Sequence, residues 1–262
     1  MKISAMAYLG GKSAFNWGSG RFVAQQLPMR GVYVEPFCGM LGVLLQRPKA
    51  RFEWANDLDG HIVNWWRVVR DDMDILCERL EYTPYARAEF DRARREHSSE
   101  QDPIQRALNT TVLLWQSISK TTADKKCTWA QSFCSARANP AAKIRAIHSR
   151  IADVALCCDP ATAILEKTAR HEDITIYCDP PYHTAPTSDK YNYQPQDEEL
   201  EQMCDLLLAQ KGAVAISGYG DEWDALGWRK KTFSTQETIS AKRGTRTEVL
   251  WINYPDPAPT LF

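Results

Sequence analysis

The run Ile174-Thr175-Ile176-Tyr177-Cys178 carries no charge and is rich in β-branched and aromatic residues, and it ends at Asp179-Pro180-Pro181-Tyr182. A short run of this composition reads as a buried strand. It therefore points to an α/β sheet with a rigid acidic loop at a strand's carboxyl end, which is where open α/β sheets bind ligands. The loop presents a carboxylate, a proline carbonyl with no neighbouring amide donor, and an aromatic face. Together these suit an exocyclic amine on a flat base. The plainer reading of the same four residues is a Pro-rich turn capped by Asp.

The amine reading explains the residue types. The lone pair of adenine N6 is delocalised into the ring, so an enzyme that alkylates it has to hold both amine hydrogens with acceptors. Asp179 and the Pro180 carbonyl are candidates for that pair. Fixing both hydrogens steers the nitrogen toward tetrahedral geometry, an effect of orientation and electrostatics. Tyr182 would stack on the base, and reaching such a pocket requires the base to leave its stack, at a cost of about a few kcal/mol.

Two clusters in the amino-terminal part extend this reading. Val32-Tyr33-Val34 reads as a strand, followed by Glu35-Pro36-Phe37-Cys38-Gly39-Met40-Leu41-Gly42 and then Val43-Leu44-Leu45, the expected start of a helix. Gly39 allows close backbone approach to a ligand. Asp57, ending the strand-like run Arg51 to Ala55, lies about where nucleotide-binding α/β units place a ribose-binding carboxylate. The alternative is an ordinary βα turn with a solvated Asp. Tyr8-Leu9-Gly10-Gly11-Lys12-Ser13 invites a phosphate-loop reading, but Met6 stands where a P-loop needs glycine. What remains is a turn with an aromatic ring and a cation, suited to packing on an adenosine and pairing with a carboxylate. Tyr8 also suits contact with a sulfonium.

Tyr-x-Gly-Gly-Lys, Glu-Pro-Phe-x-Gly, Asn56-Asp57-x-Asp59 and Asp-Pro-Pro-Tyr, in that order, resemble the Dam-type (D12 class) N6-adenine DNA methyltransferases. The likeness continues through Val214-Ala215-Ile216-Ser217 and Glu248 to Tyr254, which resemble the family's next buried strand and its closing strand. The resemblance implies a Rossmann-like methyltransferase fold, α/β, with a mostly parallel sheet, an antiparallel closing strand and a helical target-recognition insertion. It implies S-adenosylmethionine as cofactor, duplex DNA as partner, base flipping and direct attack. On the family's pattern Tyr8, Lys12, Phe37, Gly39, Asp57, Asp159 and Asp179 are cofactor contacts, and Asp179, Pro180, Pro181 and Tyr182 form the target-base loop. One departure stands out. The family usually has a second glycine two places after the first, where this chain has Leu41, with glycine arriving one residue later at Gly42. Either Leu41 is strained at positive φ, lowering cofactor affinity, or the turn shifts by one residue.

The chain's formal charge of −1 is unusual for a DNA binder, but local patches decide phosphate binding. Between residues 120 and 150 Lys120, Lys125, Lys126, Arg137, Lys143, Arg145 and Arg150 face Asp124 alone, with Trp115, Trp129 and Phe133 nearby. Lys120, Lys125, Lys126 and Arg137 are the candidate DNA contacts; a helix with a solvated basic face is the alternative. The eight cysteines show no Cys-x-x-Cys spacing and several lie in apolar runs. A reducing cytoplasm and no metal are expected. No stretch reaches membrane-spanning length, and a monomer is expected.

With 262 residues and 44% apolar content, one α/β domain with an insertion is the expected count. The catalytic part is placed at 1–80 and 150–262, and the target-recognition insertion at 81–149. Ile62 to Leu80 reads as helical, with Trp65 and Trp66 as core. A polar, arginine-rich segment follows from Tyr82 to Asp102, and then helical periodicity from Pro103 to Ser119. His183 to Gln196 reads as a lid or a mobile connection, Lys242 to Arg246 as a backbone contact or a solvated turn, and Asp256 to Pro259 as a tail. The leading function is a site-specific DNA adenine-N6 methyltransferase. The alternatives are methylation of cytosine N4 or RNA adenine, or a DNA-binding protein with an impaired methyltransferase fold, for which Leu41 is the clue.

Overall fold

A computed structural model describes residues 5–8, 12, 19–118, 127–130, 138–181, 197–236 and 245–255. Its strands are β1 (Val32–Glu35), β2 (Phe52–Asn56), β3 (Ala155–Cys157), β4 (Ile174–Cys178), β5 (Ala213–Gly218), β6 (Arg229–Gln236) and β7 (Thr245–Ile252). They form one sheet in the order β3-β2-β1-β4-β5-β7-β6. The first five are mutually parallel, with Val32 beside both Phe52 and Ile174, and β7 runs antiparallel between β5 and β6. This is the α/β, Rossmann-like architecture expected, with one particular added: the antiparallel strand is interior, and β6 forms the edge.

The topology sets the place of the site. From β1 the chain steps outward through β2 to β3, then returns to lay β4 on the other side of β1. The loops leaving β1 and β4 therefore diverge, and the crevice between them is the ligand position of an open α/β sheet.

Eight helices among the described residues cover the sheet: α1 (Ser19–Gln26), α2 (Gly60–Asp71), α3 (Met73–Glu81), α4 (Arg87–Glu96), α5 (Pro103–Gln116), α6 (Ala141–Ile151), α7 (Ala161–Thr168) and α8 (Asp197–Leu208). Alternate strand residues feed two core layers. Tyr33, Ala55, Tyr177 and Ala215 pack with α1, α2 and the helices beyond, whereas Val34, Ile176, Val214 and Ile216 pack with α7 and α8. Each fully buried aliphatic side chain of this kind contributes about 1.5–3 kcal/mol.

Three sequence expectations change. The single helix over Ile62 to Leu80 is two helices, because the backbone leaves helical geometry at Asp72 (φ −130°, ψ 28°). The helix expected from Val43 is one 3-10 turn, Leu44–Gln46: Arg47 precedes Pro48, whose ring pushes it into an extended conformation (φ −109°, ψ 156°). The arginine-rich segment contains α4, held along its face by Arg92 pairing with Glu89 and Glu96.

The helices of residues 81–149 do not pack as a separate body. Phe90, Leu108, Val112, Ile144 and Ile147 join the same apolar cluster as Ile62, Trp65 and Trp66 of α2. α6 runs through residue 150, and Arg150 there is bonded to Glu53 of β2 at 2.8 Å and to the Leu44 carbonyl at 2.9 Å. Trp65 and Trp66 are fully buried, meeting edge to face at 4.8 Å. Both also find polar partners: Trp65 Nε1 donates to Thr111 Oγ1 of α5 at 2.8 Å, and Trp66 Nε1 donates to the Gly39 carbonyl at 2.8 Å. No helix among the described residues is long and apolar enough to cross a membrane.

Candidate active site

The turn after β1 is built from two residues in left-handed geometry. Gly39 has φ +44° and Leu41 φ +51°. The turn has not shifted to Gly42; Leu41 itself takes the conformation that favours glycine, and its side chain is completely buried. A short hydrogen bond from Leu41 N to the Cys38 carbonyl (2.7 Å) closes the turn. At Gly39 an added Cβ would touch the Tyr8 ring at 3.5 Å, so Tyr8 lies directly over this glycine.

The end of β2 supplies the next wall. Asp57 Oδ2 accepts from Gly39 N at 2.8 Å and its Oδ1 accepts from Asp59 N at 2.9 Å. Each oxygen is thus fixed by one backbone amide, with its remaining acceptor capacity free of those bonds. Burial pushes the Asp57 carboxyl up to about 6, against the lowering effect of those two amides. Asn56 ties three strand ends together: its Nδ2 donates to the Pro36 and Asp159 carbonyls, both at 2.9 Å, and its Oδ1 accepts from Asp159 N at 2.9 Å.

Asp179 follows β4 directly. Lys12 Nζ donates to its Oδ1 at 2.6 Å and its Oδ2 at 2.9 Å, and lies 3.3 Å from Glu248 Oε2 on β7. Lys12 is held in turn through its carbonyl, which accepts from Gly20 N at 2.9 Å at the start of α1. Burial works against the Lys12 charge, but Asp179, Glu248 and Tyr177 outweigh it and raise its pKa well above the usual lysine value. The ammonium is therefore retained.

One cavity joins these elements. Its lining includes Tyr8, Lys12, Phe37, Gly39, Asp57, Asp179, Pro180 and Pro181, and it also includes Leu58, Pro160 and Met203. Among the described residues Asp57, Asp59, Asp179 and Glu199 line it against one cation, Lys12, so the field inside is negative. Glu35 is buried at the end of β1, where its Oε1 accepts from Tyr33 OH and Leu44 N, both at 2.7 Å. Burial pushes its carboxyl up to about 8, so it is largely protonated at neutral pH.

Of the residues singled out from the sequence, Tyr8, Lys12, Phe37, Gly39, Asp57, Asp179, Pro180 and Pro181 come together here. Asp159 does not line the cavity: its carboxylate is half-exposed and pairs with Lys167 at 3.2 Å, while the residues after it, Pro160 to Thr162, do the lining. Tyr182, Lys120, Lys125, Lys126, Arg137, the segment 183–196, residues 242–244 and the tail 256–259 lie outside the described residues. Within the basic stretch, Arg150 is held in a buried pair with Glu53, whereas Arg145 is exposed and pairs at the surface with Asp74 and Glu81. Trp115 is buried edge-on to Tyr85. Among the described residues no cluster of metal ligands and no disulfide occurs.

Sequence reasoning gave no role in the site to Glu35, Asn56 or Glu248, and it read Trp66 as core. Glu35 and Asn56 stood inside quoted motifs, which was the available signal. Glu248 stood in the quoted closing strand, but it and Trp66 reach the site only through long-range contacts, an ion pair to Lys12 and a hydrogen bond to the Gly39 carbonyl.

A model of the family described as D12 class N6 adenine-specific DNA methyltransferase matches residues 8–222. Comparison with curated protein sequences gives no match. Among solved structures, the chain is similar to a protein from Streptococcus mutans in complex with SAH (11% identity, 89% of this chain and 95% of that one, TM-score 0.38). It is also similar to an rRNA methyltransferase from Streptomyces viridochromogenes (16%, 88% and 82%, TM-score 0.38) and to a SAM dependent methyltransferase from Agrobacterium tumefaciens (8%, 92% and 61%, TM-score 0.43). The fold assignment rests on the strand order and pairing described above.

Proposed function

We propose, from the premise that this chain belongs to the D12 class N6 adenine-specific DNA methyltransferases, that it transfers a methyl group from S-adenosylmethionine to adenine N6 in duplex DNA. The observation that carries this reading is the position of Asp179: its carboxylate lines the same cavity as Tyr8 and Asp57, at the divergence of the β1 and β4 loops.

The donor set fits the cofactor. A carboxylate fixed by two amides suits ribose hydroxyls, a glycine at positive φ under an aromatic ring leaves room for close backbone approach, and a negative lining suits a cation. Asp57 would hold the ribose, Phe37, Leu58 and Pro160 the base, and Tyr8 and the acidic lining the cationic end. S-adenosylmethionine supplies an electrophilic methyl group carried on a sulfonium.

The chain's own residues prepare the acceptor amine. Asp179 and the Pro180 carbonyl accept the two N6 hydrogens of an adenine flipped from its stack, so that the nitrogen lone pair projects away from the ring plane. As positive charge develops on N6, the carboxylate stabilises it, and the surplus proton leaves N6 through the same hydrogen bond. Tyr182 stacks on the base, as the family resemblance implies. Cys38 and Cys178, which border this region, are held as thiols by burial, consistent with direct transfer and no covalent enzyme intermediate.

Residues 81–149 are assigned target recognition, with Lys120, Lys125, Lys126 and Arg137 on phosphates; a cytoplasmic monomer goes with this reading. Leu41 takes the turn's left-handed conformation, the strained one of the two outcomes the sequence left open, so a lowered cofactor affinity is expected, and cofactor calorimetry separates the enzyme from a non-catalytic DNA-binding protein. The test is incubation of adenine-unmethylated genomic DNA with protein and S-adenosylmethionine, followed by single-molecule sequencing, with cytosine-only duplex and RNA as parallel substrates. N6-methyladenine in one recurring context is expected. Methyl transfer confined to cytosine or RNA, or none to any substrate, overturns the proposal.

A further inference from the structure

Asp179 shares its cation with a second buried acid. Glu248 lies on β7, opposite Phe233 of β6 and next to Val249, which pairs with Gly218 of β5. Its side chain is 7% exposed and does not line the cavity, so it meets Lys12 away from the cavity wall that Asp179 forms. Glu248 Oε1 accepts from Tyr219 OH at 3.1 Å. Its Oε2 is buried without a hydrogen bond, and its counter-charge is Lys12 Nζ at 3.3 Å. A second carboxylate buried on the same ammonium is an expensive way merely to anchor a lysine, since desolvating each ion costs several kcal/mol. A backbone carbonyl would satisfy Nζ without adding a charge.

The arrangement makes sense as charge control. An aspartate with both oxygens on one ammonium forms a nearly neutral pair, and a neutral pair is a weak acceptor for amine hydrogens. A second carboxylate on the same ammonium gives the trio a net charge of −1 and divides the pull of Nζ between two acids. We propose that Glu248 is a positioning residue for methyl transfer, holding Lys12 so that Asp179 keeps the acceptor strength needed by an amine that becomes positive. This rests on the reading of Asp179 as the amine acceptor. Tyr219 fixes Glu248, and Tyr177, whose hydroxyl bonds to Ser217 Oγ at 2.8 Å, is the third titratable group acting on Lys12.

The test compares wild type with Glu248→Gln, which keeps an acceptor for Tyr219 and removes the charge, and with Tyr219→Phe, which keeps the charge and removes the phenol. In single-turnover assays with saturating cofactor and duplex, Glu248→Gln is expected to be about ten- to a hundredfold slower. Its calorimetric affinity for S-adenosylmethionine and its melting temperature should stay close to wild type, and Tyr219→Phe should show a smaller loss in the same direction. Independently of turnover, nitrogen-15 NMR of the Lys12 ammonium in the free protein should show its titration moved down in Glu248→Gln. An unchanged rate, a rate loss matched by lost cofactor affinity or stability, or an unmoved Lys12 titration overturns the proposal. A wild type that transfers no methyl group while the Lys12 titration still moves removes the functional reading but leaves the charge coupling standing.

Discussion

Replacing Leu41 once by alanine and once by glycine separates the two energies that meet at this residue. The side chain is completely buried in the core cluster, so truncation to alanine costs about 2–5 kcal/mol. The backbone at φ +51° costs a non-glycine residue roughly 1–2 kcal/mol, which alanine keeps and glycine escapes. At an ordinary position glycine is worse than alanine by about 0.4–1 kcal/mol through the entropy of the unfolded chain. At Leu41 the strain relief matches or exceeds that entropy, and glycine should be the more stable of the two variants by up to about 1.6 kcal/mol. Both variants remain below wild type, because relief of strain does not offset the lost side chain. Urea denaturation of the three proteins, with slopes checked for equality, reads the order wild type, glycine, alanine. If alanine proves more stable than glycine, Leu41 carries no backbone strain at this turn. The same numbers account for a leucine where the family usually has glycine: its buried side chain contributes more than its backbone conformation costs.

Asp179→Ala should abolish transfer while the protein still folds, because Lys12 keeps Glu248 as counter-charge; wild-type turnover on duplex DNA would remove the central role given to Asp179. Asp57 must be ionised to accept from ribose hydroxyls, and its carboxyl is raised to about 6, so cofactor affinity should be full near pH 7.5 and about tenfold weaker at pH 5. Asp57→Asn should bind weakly with no such slope, and a flat wild-type profile in calorimetry contradicts the assignment. Glu35 stands at about 8 in the fold against an ordinary 4.5, so between those values the folded state holds a proton that the unfolded chain has lost. Its contribution to stability is full below the unfolded value and is lost as pH rises toward 8, by at most about 1.4 kcal/mol per unit. The denaturation midpoint of Glu35→Gln, relative to wild type, should therefore rise from pH 5 to pH 8, and a constant difference would count against it.

The parts of the fold legible in the sequence are those whose strands are covered on both faces. Ile174–Cys178 is β4 residue for residue, and Val32 to Val34 lies within β1, because full burial demands uninterrupted apolar or β-branched residues. β6 left no such trace: it is an edge strand beginning Arg229-Lys230-Lys231, and its pairing with β7 defines it rather than its composition. The helix expected after the glycine turn was lost to Pro48, a local signal, whereas the break at Asp72 has no proline or glycine to announce it. In the site, residues at strand ends were readable because their motifs are local. The partnership of Lys12 with Asp179 and Glu248 joins segments far apart in the chain, and no spacing rule encodes it.

Two neighbouring indoles on α2 hold different partners, Trp65 gripping α5 and Trp66 gripping the peptide oxygen of Gly39. The segment proposed for target recognition and the turn after β1 are thereby fastened to a single rod. A chimera that grafts another relative's 81–149 segment onto this sheet inherits that rod's new seat, and a displacement of one ångström there is enough to pull apart a 2.8 Å bond under the first glycine of the turn. Residues 81–149 are therefore not a detachable cassette, and recombinant exchanges need to carry the tryptophan pair along with the segment they move.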